Sequence, residues 1–173
     1  MRLHLGIDNS LSGALCLISG SQIVAMTTMP VKEYVPPKNG AKTTREIDIV
    51  AVWRWIYDVT GHALDNVVTM IEKPTNAKTY RAAEAMAGSF HALRAMCELK
   101  VLQWQRITPQ SWQKIMLPGC KKGDTKPAAL KVAKKLWPKE NWLATPRSKV
   151  PHDGLVDAAL IAEYCRRTNP CLA

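Results

Sequence analysis

The sequence lacks the features that mark membrane proteins and secreted disulfide-rich proteins. No stretch approaches the ~20 consecutive apolar residues of a transmembrane helix, and the first residues form a strand pattern without a signal peptide. The five cysteines include no CxxC pair, which is typical of reduced thiols in a cytosol. We therefore expect a soluble, cytoplasmic protein that does not associate with membranes.

Sequence motifs of several large enzyme classes are also absent. There is no GxxxxGK[ST] phosphate loop, no GxSxG nucleophile elbow and no HExxH zinc motif. The four histidines are scattered along the chain. These absences weigh against P-loop NTPases, α/β-hydrolases and zinc proteases.

Acidic residues are few relative to basic ones. The chain has 14 Asp and Glu residues against 24 Lys and Arg residues, which gives a formal net charge of +10. This surplus favours a polyanionic partner, and nucleic acid before an anionic membrane surface. Most of it lies between residues 121 and 149, where only Asp124 and Glu140 are acidic. The basic residues there are Lys121, Lys122, Lys126, Lys131, Lys134, Lys135, Lys139, Arg147 and Lys149.

The apolar periodicity predicts strands first and then helices alternating with further strands. Residues 31–44 are rich in Pro, Lys, Gly and Thr without periodicity, so we expect a long mobile loop there, suited to face DNA. The predicted elements are strands at 3–8, 14–18 and 23–26, a helix at 47–64, a strand at 67–71, a helix at 76–98, a strand at 101–107, and helices at 109–117, 127–137 and 153–167.

This order of elements predicts a single α/β domain that spans residues 1–173. A chain of this length with 47% hydrophobic residues can fill one sizeable core. Three antiparallel strands followed by two parallel ones would form a mixed five-stranded sheet with helices on both faces. The order resembles the RNase H-like fold, with which ferredoxin-like and other mixed folds compete.

Two acidic residues stand at the ends of predicted strands. Asp8 precedes the turn residues Asn9 and Ser10, and an ordinary turn aspartate is one explanation for it. Glu72 directly follows five residues that we expect to be buried. An acidic side chain is costly to desolvate there unless it has a cation or a hydrogen-bond donor beside it. The alternative to a metal is a salt bridge with a nearby lysine.

A further acidic pair, Asp153 and Asp157, lies at the start of the last predicted helix. A spacing of four residues places both carboxylates on one helix face, where they repel each other unless a cation lies between them. Asp153 could instead cap the helix, where the helix dipole favours a negative charge. Asp157 has apolar neighbours on both sides and lacks this explanation.

Carboxylates from two strands and a helix indicate a site for hard cations. Because no cysteine accompanies them, we expect Mg²⁺ or Mn²⁺ rather than zinc. Two ions about 3.5–4 Å apart would activate a water molecule and stabilise the leaving oxygen of a phosphodiester. The expected ligands are Asp8, Glu72, Asp153 and Asp157.

Four segments of the chain resemble, in order, the signature segments of RuvC-like Holliday junction resolvases. They are GIDNS at 6–10, IEKP at 71–74, ITPQSWQK at 107–114 and HDGLVDAA at 152–159, and together they span nearly the whole chain. The length of the chain is similar to that of the short resolvases carried by phages, which would act in the cytoplasm of the host cell.

The resemblance implies a homodimeric, Mg²⁺-dependent endonuclease that cuts four-way DNA junctions by paired nicks. The family's catalytic carboxylates fall on Asp8, Glu72, Asp153 and Asp157 of this chain. Bacterial members place the last two acidic residues three apart, whereas here they are four apart. It therefore stays open whether Asp153 or the neighbouring His152 contacts metal.

The basic segment 121–126 looks like the loop that family members lay against DNA beside the metals. Lys126 is the first candidate for a phosphate contact, followed by Lys122 and Lys73. Trp104, Trp112, Trp137 and Trp142 are expected to be core or interface anchors rather than base-stacking platforms. The full set of predicted DNA-binding residues is Lys73, Lys121, Lys122, Lys126, Arg147 and Lys149, with Asn9, Ser10 and His152 as accessory site residues.

Three other functions are compatible with the sequence. Residues 6–14 also resemble the phosphate loop of actin-like and sugar-kinase ATPases, although one domain of this length cannot form their two-domain cleft. The second alternative is a non-catalytic DNA-binding module that keeps the nuclease fold. The third is a nuclease of the same fold that acts on RNA in hybrids or on linear DNA.

Overall fold

The computed structural model describes residues 2–34, 43–75, 79–121 and 123–169. Within these residues the chain forms a central sheet, a separate two-stranded ribbon and five α-helices. The strands are β1 (Leu3–Asp8), β2 (Ala14–Ser19), β3 (Gln22–Thr28), β4 (Val31–Tyr34), β5 (Thr44–Ile47), β6 (Val67–Glu72) and β7 (Gln103–Ile107). The helices are α1 (Ile49–Val59), α2 (Tyr80–Leu99), α3 (Pro109–Met116), α4 (Thr125–Leu136) and α5 (Asp153–Thr168), with a 3₁₀ turn at Leu64–Asn66.

The central sheet has five strands in the order β3-β2-β1-β6-β7. Strand β1 pairs antiparallel with β2, and β2 pairs antiparallel with β3. On its other side β1 pairs parallel with β6, and β6 pairs parallel with β7. The predicted mixed sheet, with three antiparallel strands followed by parallel ones, is confirmed.

Helices cover both faces of the sheet and bury the side chains of its inner strands on both sides. One core cluster joins Cys16, Ile18, Val68 and Met70 to helices α3, α4 and α5. A second cluster joins the alternate strand residues to helices α1 and α2. The alternate residues include Leu5, Ile7, Leu15, Leu17 and Ile71.

Helix α5 crosses β1 at very close range, and glycine makes this approach possible. A β-carbon added to Gly6 would overlap the backbone of Ala158 and Ala162. At the start of the helix, a β-carbon on Gly154 would lie 2.6 Å from the carbonyl oxygen of Ser12. Gly6 and Asp8 are two residues apart on one strand, so both face α5.

The expectation of a continuous loop at 31–44 is wrong at both of its ends. Strand β4 pairs antiparallel with β5, with Val31 opposite Ile47 and Tyr34 opposite Thr44. The buried side chain of Ile47 anchors this ribbon in the core beside α1 and α2. Residues 35–42 lie outside the described part of the chain, and the role of this region in facing DNA stays a prediction.

Several helix boundaries differ from the predicted ones. Helix α1 ends at Val59, because Thr60 caps it and Gly61 then turns with a φ of 57°. Helix α2 begins at Tyr80 with Thr79 as its N-cap, and the predicted start at 76–78 lies outside the described residues. In the described ranges, no helix is long and apolar enough to cross a membrane.

Candidate metal centre

Asp8 and Glu72 lie side by side at one edge of the sheet. Strands β1 and β6 are parallel neighbours, and Ile7 pairs with Ile71 directly before the two acidic residues. The Asp8 side chain is only 9% exposed and accepts a hydrogen bond of 3.1 Å from the backbone N–H of Ser10. The carboxyl ends of two parallel strands therefore bring two acidic groups together, as in many α/β active sites.

Asp157 joins this pair from helix α5. The residue that follows it, Ala158, is in close contact with Gly6 of β1, two residues before Asp8. The charges of Asp8 and Glu72 both act on the Asp157 carboxyl group, as does that of Asp153. The structure thus brings all four predicted acidic residues to one region.

Burial and mutual repulsion make the charged forms of these carboxylates unfavourable. Burial raises the pKa of Asp8, while the hydrogen bonds from Ser10 lower it. Burial, together with the nearby Asp8 charge, raises the pKa of Glu72 to about 7 despite a hydrogen bond from Trp112. Burial and the neighbouring carboxylates raise the pKa of Asp157 to about 8. In the absence of a cation, the protonated forms of Glu72 and Asp157 are therefore favoured up to about neutral pH.

Asp153 differs from the other three because it is exposed and already has a cationic partner. Its Oδ2 atom lies 2.5 Å from the Nζ atom of Lys126, which is at the start of α4. The alternative of Asp153 as the N-cap of α5 is wrong, because His152 holds that position. The His152 Nδ1 atom accepts a hydrogen bond of 3.3 Å from the backbone N–H of Leu155, and Asp153 is the first helical residue.

The donor set fits a hard divalent cation, since it consists of carboxylates without cysteine. A cation would also offset the negative charge that burial leaves uncompensated on Asp8, Glu72 and Asp157. In the described ranges, however, no three histidine, cysteine or acidic side chains converge closely enough to hold an ion. The carboxylates share one edge of the sheet but do not form a closed set of ligands.

The predicted DNA-binding residues are mostly free surface cations. Lys73, Lys121, Arg147 and Lys149 are exposed, and none of them forms an ion pair with another described residue. Lys73 directly follows Glu72, and its backbone N–H bonds to the carbonyl oxygen of Ile107 at 2.7 Å. Lys126 is the exception, through its pair with Asp153. Lys122 lies outside the described residues.

The accessory residues Asn9 and Ser10 form the turn after β1. Asn9 is 5% exposed, and its side-chain Nδ2 atom is buried without a hydrogen-bond partner among the described residues. The Ser10 side chain lies 3.4 Å from that of Ser12 and can share a hydrogen bond with it. The backbone N–H of Ser10 thus holds the Asp8 carboxylate, whereas the Asn9 amide nitrogen has no hydrogen-bond partner within the described part of the chain.

Trp112 was not among the predicted site residues, although it contacts one of them. The indole Nε1–H of Trp112 donates a 2.6 Å hydrogen bond to Oε1 of Glu72. Trp112, Trp137 and Trp142 are buried, as expected of core anchors, and Trp104 is partly buried. One sequence feature could have identified Trp112. It lies in the segment 107–114, which begins at the end of the strand beside Glu72.

Comparison with known proteins gives structural relatives but no sequence relatives. No protein-family model matches the sequence, and no curated protein is similar to it. The structure is similar to Thermus thermophilus RuvC in complex with a Holliday junction substrate, with a TM-score of 0.56 and 12% sequence identity over 95% of this chain and 92% of RuvC. It is also similar to a second T. thermophilus RuvC structure, with a TM-score of 0.53 and 14% identity over 96% of each chain. The protein therefore has the RNase H-like α/β fold that is found in RuvC.

Proposed function

We propose that this protein is a metal-dependent endonuclease that resolves Holliday junctions or other branched DNA by paired hydrolysis of phosphodiester bonds. The observation that carries the proposal is the arrangement of Asp8, Glu72 and Asp157 in an RNase H-like fold. Asp8 is buried, and Glu72 and Asp157 are partly buried. The three acidic groups come from two adjacent parallel strands and the helix packed across them. Within the described residues Glu72 forms no ion pair with a lysine, and its hydrogen-bond donor is the indole of Trp112.

The proposed cofactor is Mg²⁺, for which Mn²⁺ would substitute, with two ions in each active site. Asp8, Glu72, Asp157 and Asp153 would hold the ions. When bound, the ions supply an activated water molecule and stabilise the leaving oxygen of the cleaved phosphodiester. The backbone of Ser10 orients the Asp8 carboxylate, and the close contact between α5 and β1 holds Asp157 beside it.

The basic residues around this edge would bind the DNA backbone. Lys73 directly follows Glu72, and Lys126 lies against Asp153, so both are placed next to the carboxylates. Contacts of this kind give affinity that depends on salt and is independent of DNA sequence. The proposed set of phosphate-binding residues is Lys73, Lys121, Lys122, Lys126, Arg147 and Lys149.

Selection of branched DNA requires more than phosphate contacts, and we propose that a homodimer supplies it. A symmetric dimer presents two equivalent active sites in a fixed relation. A four-way junction would present two phosphates in opposed strands to the two sites at once. The RuvC structure with a Holliday junction supports this choice of substrate, because its fold covers nearly all of this chain.

A matched panel of DNA substrates tests the proposal. Purified protein and Mg²⁺ are incubated with four-way, Y-shaped, linear and RNA–DNA hybrid substrates that share the same arm sequences. We expect paired nicks in opposed strands of the four-way junction and little cutting of the linear duplex. Preferred cutting of the hybrid would replace this function with that of an RNA-directed nuclease. Binding without any cutting, in the presence of Mg²⁺ or Mn²⁺, would favour a non-catalytic DNA-binding module.

A further inference from the structure

The side chain of Trp112 connects the hydrophobic core to Glu72 at the candidate metal centre. Trp112 is 1% exposed and belongs to the core cluster beneath α3, α4 and α5. Its Nε1 atom lies 2.6 Å from Oε1 of Glu72. Within the described residues, no donor bonds to the other carboxylate oxygen, Oε2. One oxygen of Glu72 is therefore fixed and the other is available.

Local structure places the indole at this point. Strand β7 pairs with β6 so that Ile107 lies opposite Glu72. Helix α3 begins immediately afterwards, with Thr108 as its N-cap and Pro109 as its first residue. The Thr108 hydroxyl oxygen accepts a 3.3 Å hydrogen bond from the backbone N–H of Ser111. The hydroxyl groups of Thr108 and Ser111 share a second hydrogen bond of 2.8 Å. The fixed start of α3 sets the position of Trp112 relative to Glu72.

An indole is suited to this task by its chemistry. Its N–H group can donate a hydrogen bond but cannot accept one, so it always presents a donor to the carboxylate. The N–H group of a buried tryptophan usually has an acceptor, and Glu72 is the acceptor here. Unlike a lysine or arginine, the indole adds no positive charge that would compete with a metal ion.

We infer that Trp112 is a positioning residue for the metal site: it holds Glu72 by one oxygen and leaves the other oxygen free for an ion. This inference rests on the proposed function, because it assumes that Glu72 binds metal. Groups that orient metal ligands contribute strongly to metal affinity, and their loss weakens binding by about 10–100-fold. Trp112 itself contacts neither metal nor DNA in this account.

The test compares Trp112→Phe with Trp137→Phe. Trp137 is a matched control, since it is buried in the same core cluster and its indole donates a 2.8 Å hydrogen bond to the carbonyl oxygen of Ser21. Ser21 lies in the β2–β3 turn, at the end of the strands opposite to the end where Asp8 lies. Both variants lose an indole hydrogen bond and keep an aromatic ring, but only one loses the contact with Glu72.

The measurement is the dissociation constant for Mg²⁺ alone, without DNA, from calorimetry or the metal-induced rise in melting temperature. We expect it to increase about tenfold or more in Trp112→Phe and to stay unchanged in Trp137→Phe. An unchanged constant in Trp112→Phe, or an equal increase in both variants, overturns the inference. If the wild-type protein binds no Mg²⁺ and cuts no DNA, the proposed function fails and this inference fails with it.

A second measurement needs no destabilising variant. The six tryptophans give six indole N–H signals in a nitrogen-15 NMR spectrum. The Trp112 signal should shift on addition of Mg²⁺ to the wild-type protein and in Glu72→Gln, whereas the Trp137 signal should not move. A Trp112 signal that is indifferent to both changes overturns the inference even if Trp112→Phe does not fold.

Discussion

Lys126 and Asp153 form an ion pair beside the candidate metal centre, with 2.5 Å between Nζ and Oδ2. Both side chains are more than half exposed, so the pair contributes little to folding stability. The charge of Lys126 also acts on Asp157, which lowers the pKa of that carboxyl against the effect of burial. Lys126 thus contacts one acidic residue of this region and acts electrostatically on a second, which makes it the first position at which to test a phosphate contact.

We predict that Lys126→Ala weakens binding to four-way junctions of any sequence. Because the variant removes one phosphate contact, the slope of log affinity against log salt concentration should fall by about one. Lys131→Ala is the matched control, since Lys131 is an exposed lysine on the same helix and is expected to face solvent. Fluorescence anisotropy over a range of salt concentrations measures both variants. Equal slopes for Lys126→Ala and the wild-type protein would remove Lys126 from the DNA interface.

The raised pKa values predict how stability depends on pH without metal. The pKa of Asp157 rises from the ordinary 3.8 to about 8 in the folded protein, so the folded state binds its proton more tightly than the unfolded state. Such a group destabilises the fold increasingly as pH rises from the unfolded pKa to the folded one. Glu72, with a pKa of about 7, acts in the same direction.

Asp157→Asn should therefore melt at a higher temperature than the wild-type protein in EDTA at about pH 8, and the gain should shrink at about pH 5. A gain on the order of a few kcal/mol corresponds to a shift of several degrees in a domain of this size. Asp65→Asn, at an exposed position on the 3₁₀ turn, should change the melting temperature little at either pH. A gain that does not depend on pH would indicate that repulsion at Asp157 is not its cause.

We predict that Gly6→Ala destabilises the protein severely. The added methyl group would overlap the backbone of α5 at Ala158, and neither β1 nor the helix can move without disturbing the core. Gly88→Ala is the control, because nothing lies within 4 Å of its added β-carbon. On the helix α2, that change should be neutral or stabilise by up to about 1 kcal/mol. Urea unfolding of both variants measures the difference, and equal stability would contradict the close contact between α5 and β1.

The fold was largely predictable because the pattern of apolar residues decides it. Strands β1, β2 and β6 have side chains buried on both faces, and the helices that cover them show apolar residues at helical spacing. The ribbon of β4 and β5 was missed. Its strands are four residues each and mostly exposed, so they lack the periodicity that reveals a strand.

The site was predictable only in part. The sequence predicted that Asp8, Glu72 and Asp157 belong to one site, because an acidic side chain beside buried residues is costly to desolvate without a partner. The structure places the three residues in one region. The partners of those groups depend on tertiary contacts between distant segments. Trp112 reaches Glu72 because β7 pairs with β6, and Lys126 reaches Asp153 through the packing of α4 against α5. The dimer, the junction substrate and the phage type stay predictions.

The proposed function requires that these carboxylates support Mg²⁺-dependent cleavage of branched DNA. Asp8→Asn tests it most directly, because the substitution preserves the shape of a buried side chain while removing its charge. Cleavage and binding of one labelled four-way junction are measured in parallel, with Mg²⁺ present and with EDTA. We expect Asp8→Asn to bind the junction nearly as tightly as the wild-type protein and to cut it no longer. Undiminished cutting by Asp8→Asn, or no cutting by the wild-type protein with Mg²⁺ or Mn²⁺, would refute the proposed function.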